Sequence, residues 1–102
     1  MADIDPFASA TELPAALRAG RLTSRDLTGL YIRRIERHDG RLNAVVVREF
    51  ERARQRARAA DETADRGERG VLLGLPIPLK ESFNVAGLET TRGVPEWKGY
   101  DR

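Results

Sequence analysis

The sequence predicts an α/β fold made of three helices and two or three short strands. Three segments of the 102-residue chain space their apolar residues as a helix requires. Two short apolar runs between and after them have the character of strands. The helices are expected at about 11–19, 24–39 and 49–66, and the strands at about 44–47 and 77–80. Residues 1–102 therefore form one small domain or part of a larger one.

Start and stop residues define the first two helices. Thr11 is the expected N-cap of the first helix, and Pro14 falls in its first turn, where a missing N–H costs nothing. The second helix is expected to begin after Thr23, which with Asp26 resembles a capping box, and to end at Gly40. Its apolar stripe consists of Leu27, Leu30, Tyr31 and Ile35.

The third helix combines a narrow seam of small side chains with charged faces. The seam consists of Phe50, Ala53, Ala57, Ala60 and Ala64, a spacing suited to close packing on another element. Residues 48–69 contain seven arginines and six acidic residues. The arginines Arg52, Arg54, Arg56 and Arg58 alternate around the helix and have acidic neighbours. We therefore favour a solvated face over a nucleic-acid contact.

Composition excludes several kinds of site and partner. The chain has no cysteine, so disulfides, thiolate metal sites and thiol nucleophiles are excluded. For the one histidine, His38, we expect a half-buried position near the end of a helix. The 18 basic residues nearly balance the 16 acidic ones, which does not indicate a nucleic-acid or membrane partner. The N-terminus lacks the apolar region of a signal peptide. We expect a cytoplasmic protein without metal or cofactor.

Lys80 is the most unusual residue in the chain. It closes the almost wholly apolar run 71–79, so we expect it to be at least partly buried. Desolvation disfavours a charged ammonium, and a lysine that is neutral near physiological pH can act as a general base. This apolar run by itself favours the alternative, in which Lys80 ends a strand and its side chain reaches solvent or pairs with Glu81.

The stretch around Lys80 resembles the catalytic-lysine segment of the amidase-signature family. Residues 74–93 read GLPIPLKESFNVAGLETTRG, which is similar to a family pattern of a Gly-x-Pro entry, Leu-Lys-Asp, a glycine and Thr-Thr-x-Gly. Further pieces follow the family's order and approximate spacing: Gly20-Arg21-Leu22-Thr23-Ser24, Arg34-Ile35, Leu42-Asn43-Ala44 and Ala60-Asp61. The resemblance covers residues 9–93 and implies the N-terminal part of that family's mixed-sheet fold.

The resemblance implies amide hydrolysis by a Ser–cisSer–Lys triad with Lys80 as the general base. Glu81 stands where the family usually has Asp. The family's two catalytic serines lie in a later Gly/Ser-rich segment, which residues 1–102 do not contain. Of the serines present, Ser9 and Ser24 are better explained by helix starts, and Ser82 lacks a supporting base. The chain alone is therefore expected to be inactive, with a small amide as the complete enzyme's substrate.

Two other functions remain open. The chain could be an interaction module that completes its fold with a complementing chain or as a homo-oligomer. A basic helical nucleic-acid-binding domain is a weaker alternative, and it rests on the arginines of residues 48–69.

Overall fold

Helices dominate the fold in the computed structural model, which describes residues 4–68, 70–88, 94 and 96. Helix α1 spans Glu12–Arg18, α2 spans Ser24–Leu42 and α3 spans Phe50–Asp65. Helices α2 and α3 pack against each other. Each of the three predicted helices is present, although α2 ends later than expected, and residues 70–88 follow α3 as an irregular segment.

The small core includes residues from all three helices, and Leu13 is a buried member on α1. Leu27 and Ile32 are buried on α2, and Ala57 is buried on the expected seam of α3. Ile32 was not in the predicted stripe. The buried face of α2 also includes the hydroxyl residues Ser24 and Thr28, so its apolar pattern is interrupted.

The helix starts differ in how they are capped. The prediction for α2 is confirmed, because the Thr23 side chain accepts the Asp26 N–H at 3.1 Å. Thr11 is the N-cap of α1, as predicted, but its side chain makes no capping hydrogen bond. Instead, the Ser9 hydroxyl accepts the N–H groups of Thr11 at 3.3 Å and Glu12 at 3.0 Å, and so satisfies two donors that a helix start leaves free.

Helix α2 continues past Gly40, contrary to the prediction, and ends at Leu42. Asn43 then adopts the left-handed conformation at a φ of 53°. Its N–H donates to the Asp39 carbonyl at 2.7 Å. Asparagine tolerates this conformation better than most residues, so it replaces the expected glycine as the stop signal.

The predicted strand at 44–47 is not formed in the part of the chain that the structure describes. Two of its N–H groups, those of Ala44 and Val45, donate to the Asp39 carboxylate at 2.8 and 3.1 Å. Those donors are therefore not available to a neighbouring strand. Val46 and Val47 project into solvent instead of packing on a sheet.

The predicted strand at 77–80 is likewise absent from the described residues. Pro76 and Pro78 have no N–H to donate, and no described segment pairs with this run. Ile77 and Leu79 remain 65% and 60% exposed. Within residues 4–68 and 70–88, the structure therefore contains the helices of the predicted α/β fold but not its strands.

Asp39 organises the connection between α2 and α3. Besides the two N–H groups, its carboxylate accepts a charge-assisted bond from the Arg48 guanidinium at 3.2 Å. The pKa of Asp39 lies below its ordinary value of 3.8, chiefly because the Ala44 N–H donates to the ionised form. Burial acts in the opposite direction, while Val45 and Arg48 lower the pKa further.

Asp61 joins α3 to the start of α2. Its carboxylate accepts the Ser24 N–H at 2.7 Å and the Arg25 N–H at 3.1 Å, and the Arg25 Nε at 3.0 Å. The helix start leaves these backbone donors without partners inside α2. A negative charge is also favourable beside the positive end of a helix dipole. Asp61 therefore fixes α2 against α3 by hydrogen bonding as well as by packing.

We expect Asp61→Ala to lower the free energy of unfolding by about 2 kcal/mol, because one buried and one partly buried N–H group lose their acceptor. Urea denaturation followed by circular dichroism measures the change. The exposed Asp65→Asn is the matched control and should change stability by less than about 0.5 kcal/mol. Equal effects of the two substitutions would contradict the role of Asp61.

We expect the contribution of Asp39 to stability to depend on pH. Because its pKa is depressed in the folded state, the contribution is present above the ordinary value of 3.8 and is lost as pH falls through the folded value. The difference in urea midpoint between the wild type and Asp39→Asn should be constant above about pH 5 and shrink below pH 3.8. A difference that stays constant through this range would count against the mechanism.

Candidate functional site

Hydrogen bonds from three side chains of the helices hold the segment that carries Lys80. The Ser24 hydroxyl donates to the Gly74 carbonyl at 2.7 Å. The guanidinium groups of Arg18 and Arg52 donate to the carbonyls of Val71 and Ala86, each at 3.5 Å. The serine bond is the shortest of the three and is partly buried, so Gly74 is the best-defined attachment point of residues 70–88.

Gly74 fits this position because it lacks a side chain. Its φ is +86°, a conformation that disfavours residues with a Cβ. A Cβ built there would lie 3.2 Å from the Ser24 Cβ and 3.5 Å from the Leu17 Cδ1. Glycine therefore allows the segment to approach the start of α2 closely enough for the serine bond.

A shallow cleft of about 180 Å³ lies where the end of α1, the start of α2 and the end of α3 meet residues 70–74. Leu17, Ser24, Asp61 and Gly74 are among the residues that line it. The Asp61 carboxylate on its wall already accepts three hydrogen bonds. Lys80 is not among the lining residues, so this cleft is separate from the predicted catalytic group.

Lys80 is exposed in this structure, which makes the expectation of partial burial wrong. Its carbonyl accepts the Phe83 N–H at 3.0 Å and closes a turn. The apolar residues around it are also exposed, including Leu79 at 60% and Phe83 at 62%. The run before Lys80 is apolar, but the described residues provide no surface against which it can bury. Its predicted role as a general base stays a prediction.

The other candidate residues that the structure describes form no cluster with Lys80. Ser82 is half-buried two residues further on, and its hydroxyl is not hydrogen-bonded to the lysine. His38 is half-buried near the end of α2. Of the arginines on α3, Arg58 approaches Glu51 at 3.9 Å, in keeping with a solvated face. The motif residues Thr90, Thr91 and Gly93 lie outside the described residues.

Neither a metal centre nor a membrane span is found in the described ranges. Among residues 4–68 and 70–88, no three acidic or histidine side chains come together as a metal-binding group. No helix in these ranges is both long and apolar enough to cross a bilayer.

Sequence reasoning missed the connection between Asp61, Ser24 and Gly74. Each residue belongs to the ordered pieces of the resemblance, but none received a role there. One signal was present: Asp61 lies four residues after Ala57, on the small-residue face of α3. An acidic residue on a packing face needs hydrogen-bond donors, and the start of a helix provides them.

Comparison with known proteins identifies similar chains. A family model described as Amidase matches residues 26–102. The "Putative amidase AmiB2" of Mycobacterium tuberculosis is 45% identical over 87 residues, which cover 85% of this chain and 19% of the relative. A glutamyl-tRNA(Gln) amidotransferase subunit of Halorhodospira halophila is 44% identical over 82 residues, or 80% of this chain and 17% of the relative.

The corresponding amidotransferase subunit from Gluconobacter oxydans is 41% identical over 76 residues, which cover 74% of this chain and 15% of the relative. The chain therefore spans less than a fifth of the length of these curated relatives. The residues matched by the family model include Lys80 and the segment around it.

We expect Gly74→Ala to destabilise the protein more than Gly67→Ala. Both glycines have positive φ, so each alanine carries a backbone cost of about 1–2 kcal/mol. Only the Cβ at position 74 meets a neighbour, since nothing lies within 4 Å at position 67. The additional crowding should cost about 1 kcal/mol in urea denaturation. Equal losses would show that the close approach to Ser24 does not constrain the chain.

Proposed function

Because this chain belongs to the amidase family, we propose that it provides the general base of an enzyme that cleaves carbon–nitrogen bonds in amides, and that Lys80 is that base. The observation that carries the proposal is the family match over residues 26–102, which includes the motif Leu79-Lys80-Glu81. The relatives, which are named as an amidase and as amidotransferase subunits, support the same chemistry.

In the proposed reaction, neutral Lys80 accepts a proton through a bridging serine from a nucleophilic serine. The nucleophile attacks the amide carbonyl and forms a C–O bond, and backbone N–H groups stabilise the oxyanion. Collapse of the intermediate breaks the C–N bond, and the leaving amine takes up the proton. Water then attacks the acyl-enzyme and gives a proton to the lysine. The bond between the acyl carbon and the serine oxygen breaks, the serine takes that proton back through the bridging serine, and the acid is released.

Both serines of this triad are proposed to come from polypeptide beyond these 102 residues. Ser9 is already engaged at the start of α1, and Ser24 donates to Gly74. Within the described residues, no hydrogen bond links the Ser82 hydroxyl to Lys80. An unsupported serine hydroxyl is a weak nucleophile.

Additional polypeptide is also proposed to cover the apolar surface around Lys80. Five large apolar side chains of residues 71–83 are more than half exposed: Val71, Leu72, Ile77, Leu79 and Phe83. Covering them would remove water from the lysine, and desolvation favours a neutral amine. A neighbouring sheet would likewise give 44–47 and 77–80 the partners that strands need, which would complete the mixed-sheet α/β fold.

An interaction module is the second candidate function, and the same exposed surface favours it. The additional polypeptide would then be a separate complementing chain. Two of the relatives are themselves named as subunits of an amidotransferase. In this form the chain contributes the lysine and its partner contributes both serines.

A fusion of this chain to the remaining part of the mycobacterial relative tests the role of Lys80. We expect the fusion to hydrolyse a simple aryl amide, whereas the 102-residue chain alone does not. Lys80→Ala should lower kcat at least about a thousandfold, because the proton acceptor is lost. Lys80→Arg should be equally inactive, since a guanidinium stays protonated.

Lys98→Ala, which removes the chain's other lysine, is the matched control and should retain the activity of the fusion. Turnover by the Lys80→Ala fusion at the wild-type rate would refute the proposal. So would turnover by the 102-residue chain alone if Lys80→Ala leaves it unchanged.

A further inference from the structure

We infer that Ser24 and Asp61 are positioning residues for Lys80, an inference that rests on the proposed function of the lysine. Asp61 holds the backbone of Ser24, and the hydroxyl of Ser24 holds the carbonyl of Gly74. Gly74 begins the segment that ends at Lys80. The two residues thus connect the packed helices to the general base without touching the substrate.

Both hydrogen bonds of this connection are short; the bond from Ser24 to Asp61 is buried, and the bond from Ser24 to Gly74 is partly buried. Asp61 Oδ1 accepts the Ser24 N–H at 2.7 Å, and Ser24 Oγ donates to the Gly74 carbonyl at the same distance. Ser24 is 3% exposed and Asp61 is 9% exposed. Hydrogen bonds in such surroundings are stronger than those at the surface, so the position of Gly74 is closely tied to that of α2 and α3.

The hydroxyl of Ser24 is not needed by its own helix. Thr23 already caps α2 through its side chain, and the carboxylate of Asp61 satisfies the N–H groups of Ser24 and Arg25. The Ser24 hydroxyl instead reaches a carbonyl 50 positions away in the chain. Its contact therefore serves residues 70–88 rather than the start of α2.

The backbone between Gly74 and Lys80 is stiff enough to transmit this placement. Pro76 and Pro78 have φ fixed near −65° by their rings. Leu75 and Ile77 each precede a proline, which excludes most helical conformations for them. Four consecutive residues between the anchor and the lysine are therefore restricted, and the orientation of Gly74 largely determines where Lys80 begins.

Hydrogen exchange on the 102-residue chain tests the anchoring directly. Ser24→Ala keeps the N–H that donates to Asp61 and removes only the hydroxyl. We expect amide exchange in residues 70–83 to become about fivefold faster, with little change in α2 and α3. Ser24→Thr keeps a hydroxyl and should restore slow exchange. Thr28→Val, which removes another buried hydroxyl from the same face of α2, should leave residues 70–83 unchanged.

Kinetics of the fusion with the mycobacterial relative test the effect on the lysine. Ser24→Ala should lower kcat about tenfold or more and leave KM within about twofold, because the base is misplaced while substrate binding is retained. Ser24→Thr should recover most of kcat, which a general loss of stability would not allow. Asp61→Asn, which keeps one acceptor oxygen, should produce the same pattern in weaker form.

Each outcome decides a separate point. Unchanged exchange in Ser24→Ala overturns the anchoring, and an unchanged kcat, or a rise in KM alone, overturns the positioning role. An inactive wild-type fusion, or full activity of Lys80→Ala, refutes the proposed function of Lys80. The kinetic effect of Ser24→Ala then no longer reports on the position of a general base. The exchange comparison between Ser24→Ala and Ser24→Thr still decides whether the segment is anchored.

Discussion

The arrangement of the described residues depends most on the hydrogen bonds that the Asp61 carboxylate accepts. This carboxylate projects from α3, accepts the first backbone N–H groups of α2 and lies beside the attachment of the segment 70–88. The apolar core is small, with Leu27 the one fully buried large side chain in the described ranges. A core of that size constrains helix positions weakly, whereas directional hydrogen bonds to one carboxylate fix both the start of α2 and its distance from α3.

Two aspartates accept backbone hydrogen bonds at opposite ends of α2, but their donors lie at different distances along the chain. Asp39 binds N–H groups only five and six residues away, so it shapes a local connection. Asp61 binds a residue 37 positions away and therefore defines tertiary structure. Closing the longer loop costs about 2 kcal/mol more in chain entropy than closing the shorter one. The packing of α2 on α3 has to offset that cost before Asp61 can act.

Local signals in the sequence predicted the helices well, because periodicity and caps such as Thr23 act within a few residues. The strands at 44–47 and 77–80 could not be assessed in this way, since a strand exists only with a partner and the described residues contain none. The exposure of Lys80 has the same cause: an apolar run does not specify what will cover it. The role of Asp61 was hidden because residues far apart in sequence, Ser24 and Arg25, provide its donors.

The prolines before Lys80 have a further consequence for a chain with so much apolar surface outside its core. An extended apolar segment with free N–H groups is a template for pairing with other copies, and its exposure invites aggregation. Pro76 and Pro78 remove two donors from this stretch, and Lys80 places a charge at its end. The same rings that hold the segment in one shape therefore also protect it from unwanted edge-to-edge association, while its side chains stay free to pack against a matching surface.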